Sequence, residues 1–283
     1  ISFAEVDLDT ATRYAAEDAD VTLRLHQVLM PRLAAVPALA AVFNDIEMPL
    51  VPVLKRMEAN GILVDASVLR AQTHDLRTRM QGVIDRAYEV VGHRFSLDSP
   101  KQLQAVLYDE LKLPVLAKTP SGQPSTNEDA IGDLAEHHEL PRLILEYRGM
   151  AKLVSTYTER LPEQINERTG RVHTSFHQAN AQTGRLSSTD PNLQNIPIRT
   201  EDGRRIRKAF VAPTGWRMLA ADYSQIELRI MAHLSGDEGL LNAFAHGMDI
   251  HRATAAEVFG VRQEDVTDLM RRAAKAINFG LIY

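Results

Sequence analysis

The chain has 283 residues, 45% apolar and 24% charged, with a formal net charge of −5. That composition excludes a wholly disordered polypeptide, and the length suits about two domains. Cysteine is absent, which excludes disulfides, thiolate-bound zinc and thiol catalysis.

The spacing predicts a mostly helical first part. From Ile1 to Leu33, Tyr14, Asp18, Val21 and Leu25 recur at helical steps, and Pro31 is expected to end the pattern. The longest apolar stretch, Leu33 to Phe43, holds Pro37 and is too short to span a bilayer. Val36 to Asn60 reads as a second helix-rich stretch, stopped by Asn60-Gly61. Val68 to Val91 reads as a long helix ending near Gly92, and Ser99-Pro100 as the cap and first turn of a helix over 101–111. Lys118 to Asn127 is a Pro-, Ser- and Gly-rich loop, and Glu128 to His138 and Leu140 to Arg160 are two further helices.

The texture changes near Asn166. Arg171 to His177 alternates like a strand, and a Gly-, Ser-, Asn- and Pro-rich segment, Thr183 to Pro197, follows. Short strands are expected at Ile206–Val211 and Arg217–Ala221, and helices at Tyr223–Leu234, Ile250–Phe259 and Leu269–Tyr283. Between Arg168 and Arg217 nine Lys/Arg stand against three Asp/Glu, a local +6 that leaves −11 for the rest. A basic belt on an acidic protein suits one anion-binding surface, and equally a solvated basic face. The chain starts on Ile1 rather than Met and stops within a helical pattern, so it reads as an internal piece of something longer.

Three motifs can carry chemistry. In Met218-Leu-Ala-Ala-Asp222-Tyr-Ser-Gln-Ile-Glu227-Leu-Arg229 a short apolar run delivers Asp222 to the start of a helix. There it is either an N-cap or a ligand for a hard cation whose other ligands are substrate phosphates. In the last segment Arg271, Lys275, Phe279 and Tyr283 are spaced four apart, which makes a slanting stripe that drifts about 40° per step. Two cations and two aromatics on one stripe suit a nucleoside triphosphate, or an amphipathic helix with snorkelling cations. Thr183-Gly-Arg185-Leu-Ser-Ser188 and Asp190-Pro-Asn192-Leu-Gln194-Asn195-Ile-Pro197 offer amides and one Arg to sugar edges and phosphates, or simply form a loop. No GxxxxGK[ST] phosphate loop is present.

Together these motifs resemble the family A DNA polymerases, most closely the bacterial members. Asp222 to Arg229 is similar to that family's motif A and Arg271 to Tyr283 to its motif B. Thr183 to Pro197 resembles the segment that touches primer and template, and Asp249-Ile-His251-Arg-Ala-Thr254 also matches. Tyr14-Ala-Ala-Glu-Asp18 resembles the last motif of a 3′–5′ exonuclease.

The resemblance implies an α+β, mostly helical fold. Residues 1–36 would be an exonuclease remnant, 37–167 the thumb, 168–236 a partial palm and 237–283 the start of the fingers. It implies nucleotide addition to a primer 3′-hydroxyl through two Mg²⁺ ions, in DNA repair and replication. Asp222 would bind both ions, helped by the Tyr223 carbonyl, and Lys275 would share the catalytic work. Arg271, Lys275, Phe279, Tyr283, His251, Gln225 and Glu227 would surround the dNTP, with Glu227 crowding a ribose 2′-hydroxyl. Arg185, Asn192, Gln194, Asn195, Arg199, Lys101, Ser125 and Thr126 would contact DNA, and Tyr14 and Asp18 would be orphaned exonuclease residues.

The implied partners are primer-template DNA and dNTPs, with no membrane, for a monomer in the bacterial cytoplasm at the nucleoid. The family's second carboxylate motif would lie beyond Tyr283, so the isolated chain is expected to lack turnover. Two rivals stand beside this reading. One is a related single-subunit RNA polymerase, and the other is a DNA- or nucleotide-binding piece without catalysis.

Overall fold

The computed structural model describes residues 3–280, apart from the Phe279 side chain. The chain forms two compact units, Ile1–Arg217 and Met218–Tyr283.

In the first unit, α1 (Leu8–Ala34) is capped by Asp7, whose carboxylate accepts from the amides of Asp9 and Thr10. Pro31 does not end α1. Its carbonyl accepts from the Ala35 amide at 3.1 Å, so the last turn closes around it. A helical run follows, with α2 (Pro37–Val42) and α3 (Met48–Asn60) joined by a wider turn over Phe43–Glu47. By length and composition alone the run Pro37–Asn60 could cross a membrane, which the Pro-interrupted sequence does not suggest. Leu39, Ile46, Val51 and Val53 lie exposed along it.

Gly61 ends α3 with φ 58 and ψ −176, a conformation open in practice only to glycine. A Cβ there would lie 2.7 Å from the His173 ring and from the Val172 carbonyl oxygen, so the chain turns where a side chain has no room.

The core begins with α4 (Ala66–Val91), whose buried Leu69, Gln72, Leu76, Val83 and Ala87 follow the three- and four-residue helical rhythm. Asp65 caps it, and Gly92, left-handed at φ 87, stops it. Next come α5 (Pro100–Gln104), capped by Ser99 as expected, α6 (Glu128–Leu134) and α7 (Glu139–Leu153). Leu103, Leu107, Ile131, Leu134, Leu140 and Ile144 fill the space between these helices and are fully buried. Each such side chain contributes about 1.5–3 kcal/mol.

A second cluster, Val64, Leu69, Tyr157, Leu161, Val172, Ile206 and Ala209, joins α4 to α8 (Arg160–Glu163), to the strands and to α9 (Glu201–Arg207). The strands are short: β1 (Ile165–Asn166) pairs antiparallel with β2 (Arg171–Val172), and β3 (Ser175–His177) with β4 (Ser187–Thr189). The expected strand at 206–211 is replaced by the end of α9. Ile206 and Ala209 are buried three residues apart, a helical interval, and only Phe210 makes a β-bridge, to Val64.

The second unit holds α10 (Ile226–Ser235), α11 (Glu238–Ala245), α12 (Ile250–Phe259) and α13 (Asp268–Gly280). Leu228, Ala243 and Ile250 pack one end, and Ala255, Val266 and Ala274 the other. The expected strand over Arg217–Ala221 does not form, and Leu219 is 90% exposed. A strand needs a neighbour for its backbone groups, and none pairs with this segment among the described residues.

Candidate active site and nucleic-acid interface

Asp222 lies in the irregular, exposed stretch before α10. It is not the cap of that helix. The cap position belongs to Gln225, in the left-handed region at φ 55 and ψ 39, with no side-chain cap bond. The Arg229 guanidinium steadies this turn by donating to the Ser224 carbonyl at 2.9 Å, while its carbon lies 4.4 Å from the Phe244 ring centroid. Glu227 is half-buried in the first turn of α10, and Tyr223 is 81% exposed.

Helices α12 and α13 bring the other candidates together. Asp249 caps α12 through the Arg252 amide and accepts from Arg271 Nε at 2.7 Å. Partial burial would raise the Asp249 carboxyl, but Arg271 and the Arg252 amide outweigh it and hold the group below its usual range. Arg271 thus spends one of its five N–H donors inside the protein. His251 is 3% exposed, and Asn278 Nδ2 reaches its Nδ1 at 3.1 Å while donating to Thr254 Oγ1 at 3.1 Å. Burial depresses the His251 imidazole most; Asp249 pulls it up, and Arg271 and Lys275 push it further down. The ring is therefore neutral near pH 7, with Nδ1 as an acceptor. Lys275, one turn from Arg271, is exposed. The Phe279 side chain and Tyr283 lie outside the described residues.

A pH dependence follows. Unfolded, His251 titrates near 6.5; folded, it binds its proton less readily. Its contribution to stability is present above that pH and is lost as the pH falls toward the folded value. The His251 ring should titrate below 6.5 by NMR, and His251→Gln should reduce the loss of melting temperature between about pH 7 and pH 5. A midpoint at or above 6.5 would contradict this placement.

Asp222 fits a hard cation in donor chemistry, being an exposed carboxylate with no hydrogen bond or ion pair among the described residues. Among the described residues no three His, Asp or Glu side chains cluster to hold a metal ion.

In the first unit, the segment after β4 is built by its own side chains. Asn192 Oδ1 accepts from the Gln194 amide at 3.0 Å, Gln194 Nε2 donates to the Leu186 carbonyl at 3.0 Å, and Tyr157 donates to the Asn195 carbonyl at 2.5 Å. Arg185, Asn195 and Arg199 are exposed. With Tyr157, Thr156, Lys152 and Arg79, this segment lines a cleft of about 920 Å³. Lys101 is exposed, but Ser125 and Thr126 are 6% and 8% exposed, and their carbonyls accept from Tyr108 and Arg148. Tyr14 and Asp18 stand exposed on α1, with the Phe3 and Tyr14 rings 6.3 Å apart.

Asp249, Asn278 and Tyr157 were not picked out as site residues from the sequence. Asp249 and Asn278 carried a signal: a cap directly before a functional helix, and a polar residue on the buried face of α13.

The family model described as DNA polymerase family A matches residues 66–283. The chain is 65% identical to DNA polymerase I of Pseudomonas aeruginosa over all of its length, which is 31% of that protein. It is 48% identical to the thermostable DNA polymerase I of Thermus thermophilus over 96% of the chain and 33% of that protein. The structure is similar to the POL domain of Pol1 from M. smegmatis, described in complex with DNA primer-template and dNTP, with a TM-score of 0.83 and 44% identity. That match covers 92% of this chain and 46% of the other. The chain spans about a third of the length of the curated relatives it matches, and it belongs to the family A DNA polymerases.

Proposed function

We propose that the chain is the thumb, partial palm and first fingers helices of a template-directed DNA polymerase. It would extend a primer 3′-hydroxyl with dNTPs in DNA repair and replication. Residues 1–36 would be an exonuclease remnant, 37–167 the thumb, 168–236 the palm portion and 237–283 the fingers portion. The observation that carries the reading is the α12–α13 cluster. There Arg271 and Lys275 stand one turn apart beside a neutral, buried His251, in the same unit as the exposed Asp222.

The residues divide the work. Asp222 and the Tyr223 carbonyl would hold Mg²⁺. When bound, the ions lower the charge at the reacting phosphate and favour the ionised primer oxygen. Lys275 and the remaining donors of Arg271 would hold triphosphate oxygens and neutralise the departing pyrophosphate. Phe279 and Tyr283 would offer ring faces to the base. Gln225 and Glu227 would border the sugar. Arg185, Asn192, Gln194, Asn195, Arg199 and Lys101 would face DNA, the basic ones adding a salt-sensitive affinity. The isolated chain would bind DNA and nucleotide without turnover. The complete protein would act as a monomer in the bacterial cytoplasm, at the nucleoid. The apolar face of Pro37–Asn60 would meet another part of that longer protein rather than a bilayer, which the partial coverage of the relatives supports.

The sugar tests the reading against a ribonucleotide polymerase. The complete polymerase should incorporate dNTPs in strong preference to rNTPs, and Glu227→Ala should raise rNTP incorporation by about tenfold or more. Preference for rNTPs in single-nucleotide assays would reject the reading.

A further inference from the structure

The basic belt contains three acids that a DNA-binding surface should avoid on charge alone, and one of them, Asp202, is tied into the helical body. Asp202, in the first turn of α9, lies with both carboxylate oxygens 3.0 Å from Arg79 Nη1 on α4. Arg205 on α9 donates to Asp75 on α4 at 2.7 Å and to Asp202 at 3.4 Å, and Arg79 stands 3.7 Å from Asp75. Gln72 on α4 adds a bond from Nε2 to the Asp202 carbonyl at 2.8 Å. Two acids and two arginines alternate across the α4–α9 junction, so each charge faces its opposite.

What α9 holds in turn is the segment before it. A Cβ on Gly203 would lie 2.7 Å from Pro197 Cβ, so the helix touches the segment directly. Thr200 Oγ1 accepts from the Gly203 amide at 3.1 Å. Arg204 donates to the carbonyls of Arg199 at 2.9 Å and Ile198 at 3.4 Å, and Arg207 to that of Ile196 at 3.3 Å. The carbonyls of Ile196, Ile198 and Arg199 are thus turned toward α9, while Arg199 itself stays exposed. Part of the belt's positive charge is consumed internally.

We propose that Asp75, Arg79, Asp202 and Arg205 form a positioning quartet that sets the Asn195–Arg199 segment against DNA, so that its two carboxylates strengthen DNA binding despite their charge. The inference rests on the proposed DNA-binding role of that segment. It makes a prediction opposite in sign to simple electrostatics, under which neutralising an acid beside DNA tightens binding.

The test is the equilibrium affinity of the 283-residue chain for a labelled primer-template duplex at one fixed salt concentration, with thermal unfolding of every variant. Asp202→Asn should weaken binding by about three- to tenfold, the scale of one modest ion pair. Asp75→Asn should act in the same direction. Glu201→Gln, which neutralises the neighbouring exposed acid outside the quartet, should leave binding unchanged or tighter. A second readout needs no DNA: trypsin should cut after Arg199 faster in Asp202→Asn than in the wild type. Should Asp202→Asn fail to fold, Asp75→Asn carries both readouts. Binding as tight as the wild type or tighter in folded Asp202→Asn or Asp75→Asn overturns the proposal, as does an unchanged cut at Arg199 in the same variants. If the wild-type chain does not bind DNA at all, the functional reading fails, and the tryptic comparison still decides whether the quartet holds the segment.

Discussion

In the complete polymerase, Asp222→Ala should reduce nucleotide addition by about a thousandfold or more. Several kcal/mol of charge stabilisation at the transferring phosphate are removed, and each 1.4 kcal/mol is a factor of ten. DNA affinity should stay within about twofold, because one carboxylate fewer beside a polyanion is no loss to binding. The structure gives the variant little reason to misfold. The side chain is exposed, does not cap α10, and makes no hydrogen bond or ion pair among the described residues. Single-turnover rates and duplex affinity measured side by side check this. A fall in DNA affinity as large as the fall in rate would mean that Asp222 acts on structure or DNA instead.

Lys275→Ala should raise the dNTP KM and lower kcat, with kcat/KM down about ten- to a hundredfold, the worth of a charge-assisted hydrogen bond to phosphate. Lys275→Arg should recover part of the loss, since charge returns without the compact ammonium. A readout in the protein alone accompanies the kinetics. Lys275 is one of the charges that depress His251, so the imidazole should titrate at higher pH in Lys275→Ala. Unchanged kcat/KM for dNTPs would remove Lys275 from the site.

The helices that position this chemistry were legible because their signals are local. The rhythm of Leu69, Leu76, Val83 and Ala87, the Ser99-Pro100 start and the Gly92 stop each act within one or two turns. The stretches Ile250–Phe259 and 269–280 were legible for the same reason. The errors came where tertiary context decides. Pro31 was read as a stop, yet it sits so near the end of α1 that its carbonyl only has to accept from Ala35. The run Ile206-Arg-Lys-Ala-Phe-Val211 was read with a period of two, but its buried residues, Ile206 and Ala209, are three apart. Met218 to Ala221 has the composition of a strand and no pairing partner among the described residues.

At the candidate site, the contacts that tie the residues to the rest of the fold were not legible in the sequence. Asp249 holding Arg271, Asn278 holding His251, and Asp202 holding Arg79 all join residues at least 22 apart, spacings that no periodicity encodes. Ser125 and Thr126 look like polar loop residues in sequence, but the carbonyl bonds to Tyr108 and Arg148 draw their segment inward.

Ion occupancy tests the Asp222 assignment most directly. With Mn²⁺ replacing Mg²⁺, ions bound to the complete polymerase with primer-template DNA and a non-hydrolysable dNTP can be counted by electron paramagnetic resonance. The wild type should bind more ions at saturation than Asp222→Ala, whose DNA and nucleotide remain bound. Equal ion counts and equal Mn²⁺ affinities in the two proteins would contradict the account.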